Sequence, residues 1–567
     1  MSIKNIFELS GESNRFYLAI IALLIFFAYL PTLQYEYVSH DQWRAFKYTM
    51  LGDESPAVKA RLCFHERLPF DISSGRFLGS IGECMEHSLV TKISDFSKMR
   101  PVVLMIVILT AFCVGAALSP SMGGMINGTA IGALFVLSPG YASMFYNGLE
   151  TVMTLIALIL ATLSCIQIRG AFGEKIQTKK LCLSAVLFLA SCLIYPAWAF
   201  AVFIFILIDF LFCGETGCNT ALKHLLLRFF FFAAIAAIYY LIVKLTLGFF
   251  HIGATGGVYE FSANFNAAYL WGKFLSAVLF YMHQPFLNAI SRPLFLLNFA
   301  VLFCGIILYT VYFFKSSAGR RMGAAISFFI TVLMFIFLTF VSMAPWLLSP
   351  MGGGPPNRIL ITLSLLMCVL TGWMIHRVCS RLFPAKKYLP VILLIFIILL
   401  PLSAVQNKRT TIEVGIMGTE TEFMRLAVHK WIDHNAFAKQ RYIAVVKPER
   451  YRPSEYDGIL NDGNDNNFFN RVHYGGTLRS YSNRNNYFQM FTALIREKCD
   501  RVHPITSMNI HNLSFEPQKA EAMLDASPSN IVFTVIEQGE PVKTKHDILE
   551  INFSLITSLP EPLTVKR

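Results

Sequence analysis

Residues 181–213 read LCLSAVLFLASCLIYPAWAFAVFIFILIDFLFC, thirty-three positions with one charged side chain, Asp209. A soluble helix needs a polar face toward water, and neither half of this stretch has one. The stretch reads as two membrane spans, 181–195 and 197–213, turning on Tyr195 and Pro196. A transmembrane helix takes about 20 mostly apolar residues. Further runs of this kind occupy 16–33, 101–119, 129–147, 150–168, 229–249, 294–314, 323–345, 358–375 and 389–405, about eleven spans in all.

The composition agrees. Of 567 residues, 55% are hydrophobic, 14% aromatic and 15% charged, and the mean hydropathy is +0.53. Soluble domains carry roughly 25% charged residues, so an ordinary soluble enzyme is excluded. The net charge of +13 follows from basic cytoplasmic loops and does not call for nucleic acid. The fold class expected is therefore a polytopic α-helical membrane module over 1–405, followed by a water-facing domain over 406–567.

Lysine and arginine in short loops favour the cytoplasm. Three loops are basic: 168–180 with Arg169, Lys175, Lys179 and Lys180; 315–321 with Lys315, Arg320 and Arg321; 376–387 with Arg377, Arg381, Lys386 and Lys387. Placing all three inside puts the N-terminus in the cytoplasm and 34–100 outside. It also requires 271–290 to lie in the outer interface, which its Lys273, His283, Gln284 and Pro285 fit. The C-terminal domain then falls outside. The first apolar run has a basic start, but no small-residue cleavage site follows YLPTLQYEY, so it reads as a retained span.

Loop 34–100 carries nine acidic and nine basic residues, and a connection of that length is usually functional. The tail mixes helical periodicity (ETEFMRLAVHKWI, YFQMFTALIREKC) with strand-like runs (RYIAVVK, SNIVFTVIE, ILEINFSLI), an α/β pattern. Of twelve cysteines, Cys63, Cys84 and Cys499 face outward, and an oxidising exterior permits a Cys63–Cys84 bridge. No CxxC pair or zinc-spaced His/Cys cluster occurs.

Candidate chemistry gathers on the outer side. YVSHDQWRAF places His40, Asp41, Trp43 and Arg44 just beyond the first span. Asp41 reads either as a general base at the membrane surface or as the N-cap of QWRAFKYTML. In PFDISSGRFLGSIGECMEH, Gly75 marks a tight turn that aims Arg76, before a helix returning to the membrane. Arg76 reads as a phosphate clamp or as a surface ion pair with Asp71 or Glu83. In APWLLSPMGGGPPNRILI, Arg358 follows a Gly/Pro turn, either as an anion ligand at a helix start or as a snorkelling side chain. Glu150, with Tyr141, Tyr146 and Asn147, lies at one outer turn, and Tyr195 at another. These read as site residues or as a solvated turn and an aromatic belt. No nucleotide-binding motif has the right context, so an outward site would need a donor already anchored in lipid.

The arrangement resembles the GT-C class of integral membrane glycosyltransferases, and within it the serotype-converting O-antigen glucosyltransferases of phages and bacteria. The resemblance rests on HDQWRAF, SGRFLG, SPGYASMFYNGLETV, LIYPAWAF and PPNRILI, and extends into the tail through HYGGTLRSYSNRNNYFQMFTALI. It implies transfer of a sugar, glucose foremost, from an undecaprenyl-phosphate carrier to O-antigen or another lipid-linked glycan. Transfer would occur with inversion, on the periplasmic face of a bacterial inner membrane. Membrane lipids are the other partner implied; no cofactor is, and a divalent metal is left open. The family shows paired or neighbouring acids after the first helix, whereas His40 here precedes a single Asp41. That leaves Asp41 acting alone or with Asp71 or Glu150. The rival from another class is a transporter or flippase of lipid-linked sugars, which would place ionisable groups near mid-membrane.

Overall fold

The computed structural model describes residues 12–37, 55–73, 75–90, 92–138, 149–172, 176–211, 218–249, 266–282, 303–304, 307, 321–348, 361–383, 388–447, 484–499, 505, 508–513, 516–537 and 544–553. The chain is mostly helical. In order run α1 (Glu12–Tyr29), α2 (Pro56–Ser73), α3 (Phe77–Leu89), α4 (Ile93–Leu118), α5 (Met125–Val136), α6 (Leu149–Arg169), α7 (Thr178–Ile194) and α8 (Val202–Leu211). There follow α9 (Cys218–Phe249), α10 (Ala267–Met282), α11 (Arg321–Ser342), α12 (Ile361–Leu382) and α13 (Leu400–Asp433). Helix α13 is entered from Leu389–Leu393 through a π segment at Leu394–Leu399.

Among the described residues, five helical stretches are long and apolar enough to cross a membrane: Ile93–Leu118, Val152–Arg169, Ala221–Phe249, Ile361–Ser380 and Leu389–Lys408. Shorter apolar helices at Asn14–Tyr29, Met125–Val136, Pro196–Leu211 and Phe328–Ser342 accompany them. The predicted span 294–314 lies almost wholly outside the described residues. Several boundaries differ from the sequence reading. The expected 197–213 span opens with one turn at Pro196–Ala199 and resumes at Val202. Proline at a first helical position has no N–H to lose and starts that turn. Helix α4 begins two turns before the predicted 101 and holds Pro101 inside.

Helices α4 and α5 form a tight pair. A Cβ at Gly115 would stand 2.5 Å from the Thr129 backbone, so only glycine lets the two backbones approach this closely.

The described residues of the tail form a four-stranded parallel sheet in the order β2-β3-β1-β4, from β1 (Tyr442–Lys447), β2 (Asn509–Asn512), β3 (Asn530–Glu537) and β4 (Ile548–Asn552). Ile443 and Val445 enter a core with Trp431 of α13 and Tyr487 and Phe491 of α14 (Arg484–Lys498). Tyr442, Ala444 and Val446 face Leu524 of α15 (Ala520–Ala526). Both faces are covered, which is why these strands read as continuous apolar runs. The boundary expected at 405/406 lies inside α13, which runs unbroken from the last apolar stretch into this core.

Within α13, Glu420 is 1% exposed, between Met417 and Met424, and its Oε2 has no hydrogen-bond partner among the described residues. Burial pushes its carboxyl well above the ordinary value of 4.5. The unfolded chain releases this proton as pH rises through that value while the folded chain keeps it, so stability is lost with rising pH. Glu420→Gln is expected to stabilise the protein at about pH 8 by roughly 1 kcal/mol or more and to change little near about pH 4. Thermal unfolding at both pH values reads this, and an equal change at both would contradict it.

Candidate functional site

Helices α2 and α3 fold as a hairpin around Gly75. This residue takes φ +72°, a left-handed backbone open to glycine. Gly75 N–H donates to Ile72 O at 2.9 Å and Arg76 N–H to Asp71 O at 2.7 Å. Tyr239 of α9 closes the turn from outside, its hydroxyl donating to Gly75 O at 3.1 Å. The expected tight turn is present. The helix after it, α3, packs on the start of α6 and the end of α7, and α4 is the next helix long and apolar enough to cross a membrane.

The hairpin is laced by a disulfide, Cys63–Cys84, with Cα atoms 5.5 Å apart. Closing a loop of 21 residues contributes about 3 kcal/mol by the chain-entropy account. Peptide mapping without reductant is expected to recover Cys63 and Cys84 in one crosslinked species. Recovery of both as alkylated free thiols would contradict this.

Cys63, Arg67 and Asp71 recur every four residues and so share one face of α2. Arg67 pairs with Glu83 of α3 and lies 3.5 Å from Asp71. Arg76 lies 3.6 Å from the other Asp71 oxygen. His87 approaches Glu83 at 4.0 Å and Cys63 Sγ at 3.6 Å. The Arg67, Asp71, Arg76 and Glu83 side chains are 12%, 3%, 11% and 8% exposed, so the Arg76 pair is buried rather than superficial. Two guanidinium groups against two carboxylates keep the cluster neutral, as burial demands.

These groups face a small cavity of about 20 Å³ lined by Asp71, Arg76, Gly79, Glu83, Met153, Thr154, Ile194 and Tyr195. That is room for about one water molecule. The Arg76 guanidinium stands 5.5 Å from the Tyr195 ring centroid, a cation–π distance. Gly79 permits the close approach of α3 to α7, because a Cβ there would lie 2.8 Å from Ile194 O.

Three predicted residues from two distant stretches, Asp71 and Arg76 of the hairpin and Tyr195 after α7, thus meet around one cavity. Glu150 belongs to the first turn of α6, three and four residues before the lining Met153 and Thr154. His40, Asp41, Trp43, Arg44, Tyr146 and Arg358 lie outside the described residues. The described chain before Asp41 ends at Tyr37, and here sequence reasoning missed an anchor. Arg100 donates to the carbonyls of Thr32, Tyr35 and Tyr37, its guanidinium 3.6 Å from the Tyr37 ring centroid. Arg425 of α13 holds Glu36 at 3.0 Å and Glu497 of α14 at 3.4 Å, tying the same segment to the C-terminal domain. Arg67 was also missed, although its four-residue spacing from Cys63 and Asp71 is visible in the sequence.

Among the described residues, no group of three or more His, Cys, Asp or Glu side chains could hold a metal ion. No protein-family model, no curated protein and no solved structure matches the chain.

Proposed function

We propose that the protein is a membrane glycosyltransferase. It moves a hexose, glucose foremost, from an undecaprenyl-phosphate carrier to O-antigen or a related surface polysaccharide, with inversion, on the periplasmic face of a bacterial inner membrane. The observation that carries this reading is the convergence of Asp71, Arg76 and Tyr195 on one cavity at the end of an apolar bundle where α6 begins and α7 finishes. The Cys63–Cys84 bridge supports an oxidising compartment for the hairpin.

In this reading Asp41 takes the proton of the acceptor hydroxyl as its oxygen attacks the anomeric carbon. The bond from that carbon to the phosphate oxygen breaks, and the lipid phosphate leaves with the electron pair. Arg76 and Arg358 meet the charge that develops on it; donors held ready in a dry site contribute a few kcal/mol to such a step. The cavity is too small for a sugar, so the phosphate meets Arg76 at its mouth. Asp71 and Tyr195 hold Arg76 in direction.

Membranes containing the protein are expected to consume labelled undecaprenyl-phosphate glucose when an acceptor glycan is present, with product appearing on the glycan. Movement of the donor between leaflets without consumption would instead favour the transporter reading.

A further inference from the structure

The other end of the bundle carries a second buried charge cluster. Asp209 of α8 accepts from Arg169 Nε at 2.6 Å and again from Arg169 Nη2, from Arg228 Nη1 at 2.8 Å, and from Ser121 Oγ at 3.3 Å. Arg169 ends α6 and lies fifteen residues beyond Thr154 of the cavity, about 22 Å along the helix axis. The cluster is therefore separate from the site described above.

Among the described residues its charges do not balance. Two guanidinium groups meet one carboxylate, whose two oxygens are already fully engaged, and the side chains are 14–16% exposed. An uncompensated charge at this depth is costly, and a counter-anion relieves it. Two buried nitrogens on one face of α9, a single turn apart, have no hydrogen-bond partner among the described residues: Arg228 Nε and His224 Nδ1. The first is an obligatory donor, and the second donates in one tautomer.

Helix α9 has 32 residues and is about 48 Å long, against a hydrocarbon core of about 30 Å. A helix this long overhangs the core, and its start, with Lys223, His224 and Arg228, is the end whose residues suit headgroup depth. Exposed lysines such as Lys223 need no further account, since they satisfy a positive flank in water. A mostly buried arginine with an idle N–H is a different feature.

We propose that Arg228 and His224 form a seat for a phosphate group at this end of the bundle, with the headgroup of an anionic phospholipid as its occupant. Basic pockets between helices at a membrane surface hold lipid phosphates in this manner. The seat clamps α6, α8 and α9 through Arg169, Asp209 and Arg228.

The test is thermal unfolding of the full-length protein in neutral detergent, titrated separately with phosphatidylglycerol, phosphatidylcholine and inorganic phosphate. Phosphatidylglycerol is expected to raise the unfolding midpoint at concentrations about tenfold lower than phosphatidylcholine. Arg228→Gln is expected to abolish that difference. His224→Leu leaves every ion pair of the cluster in place and is expected to reduce the difference severalfold, so it reports even if the arginine variant does not fold. Stabilisation by inorganic phosphate as strong as by phosphatidylglycerol would keep the seat and assign it to soluble phosphate. Equal responses to both lipids in the wild type, or a preference that survives in His224→Leu and in folded Arg228→Gln, would overturn the proposal.

Discussion

Asp41→Asn is expected to lower sugar transfer by about 10²–10⁴-fold while the protein accumulates in the membrane at its normal level. The substitution separates the two roles the sequence allows Asp41. As a helix N-cap, asparagine serves about as well as aspartate, because its side-chain oxygen accepts the same backbone N–H. As a general base it fails, because an amide cannot take the acceptor's proton at neutral pH. The account places Asp41 in the second role, so loss of transfer must come without loss of folding. The measurement is a transfer rate normalised to protein detected in the membrane. Normal transfer by the variant would leave Asp41 a cap and remove the base from the mechanism.

Arg76→Lys is expected to lower transfer by about 10²–10³-fold, the range typical for removal of one preorganised donor to a developing anion. Lysine keeps the positive charge but loses the planar fork that grips two phosphate oxygens at once. It also loses the flat face that lies near the Tyr195 ring. A purely structural arginine would behave otherwise. Lysine could still pair with Asp71, now 3.6 Å from the guanidinium, and the hairpin would remain tied by its disulfide and by Arg67–Glu83. Donor titration distinguishes the cases, and Arg358→Lys is expected to act in the same direction. Unchanged donor kinetics in both variants would take phosphate binding away from these arginines.

The apolar helices were legible because lipid-facing and packed helical surfaces are both apolar, so length and hydropathy alone mark them. Their ends were less legible. Pro196 and Pro101 act on single turns, and α13 continues past the last apolar residue because Met417, Met424 and Val428 enter the core of the C-terminal domain. Strands β1, β3 and β4 match the apolar runs of the tail. Strand β2, with the sequence NIHN, has no alternation to reveal it and takes its conformation from pairing with β3.

In the candidate site, Asp71, Arg76 and Tyr195 were visible as polar groups at turns that the basic loops assign to the outer side. Their meeting was not visible, because it depends on Gly79 admitting α3 against Ile194 and on Tyr239 closing the Gly75 turn. Arg100 escaped notice for a related reason. It begins an apolar run and reads as a flanking charge, yet it folds back onto three carbonyls of the preceding segment.

The central claim is that a lipid-borne phosphosugar and a glycan meet at the outer end of this bundle and exchange a hexose. Composition and linkage analysis of surface polysaccharide from cells expressing the wild type, the Asp41→Asn variant or neither tests it most directly. An added side-branch hexose, in the wild-type cells alone, is the predicted result. Polysaccharide of the same composition and linkage in all three would contradict the account.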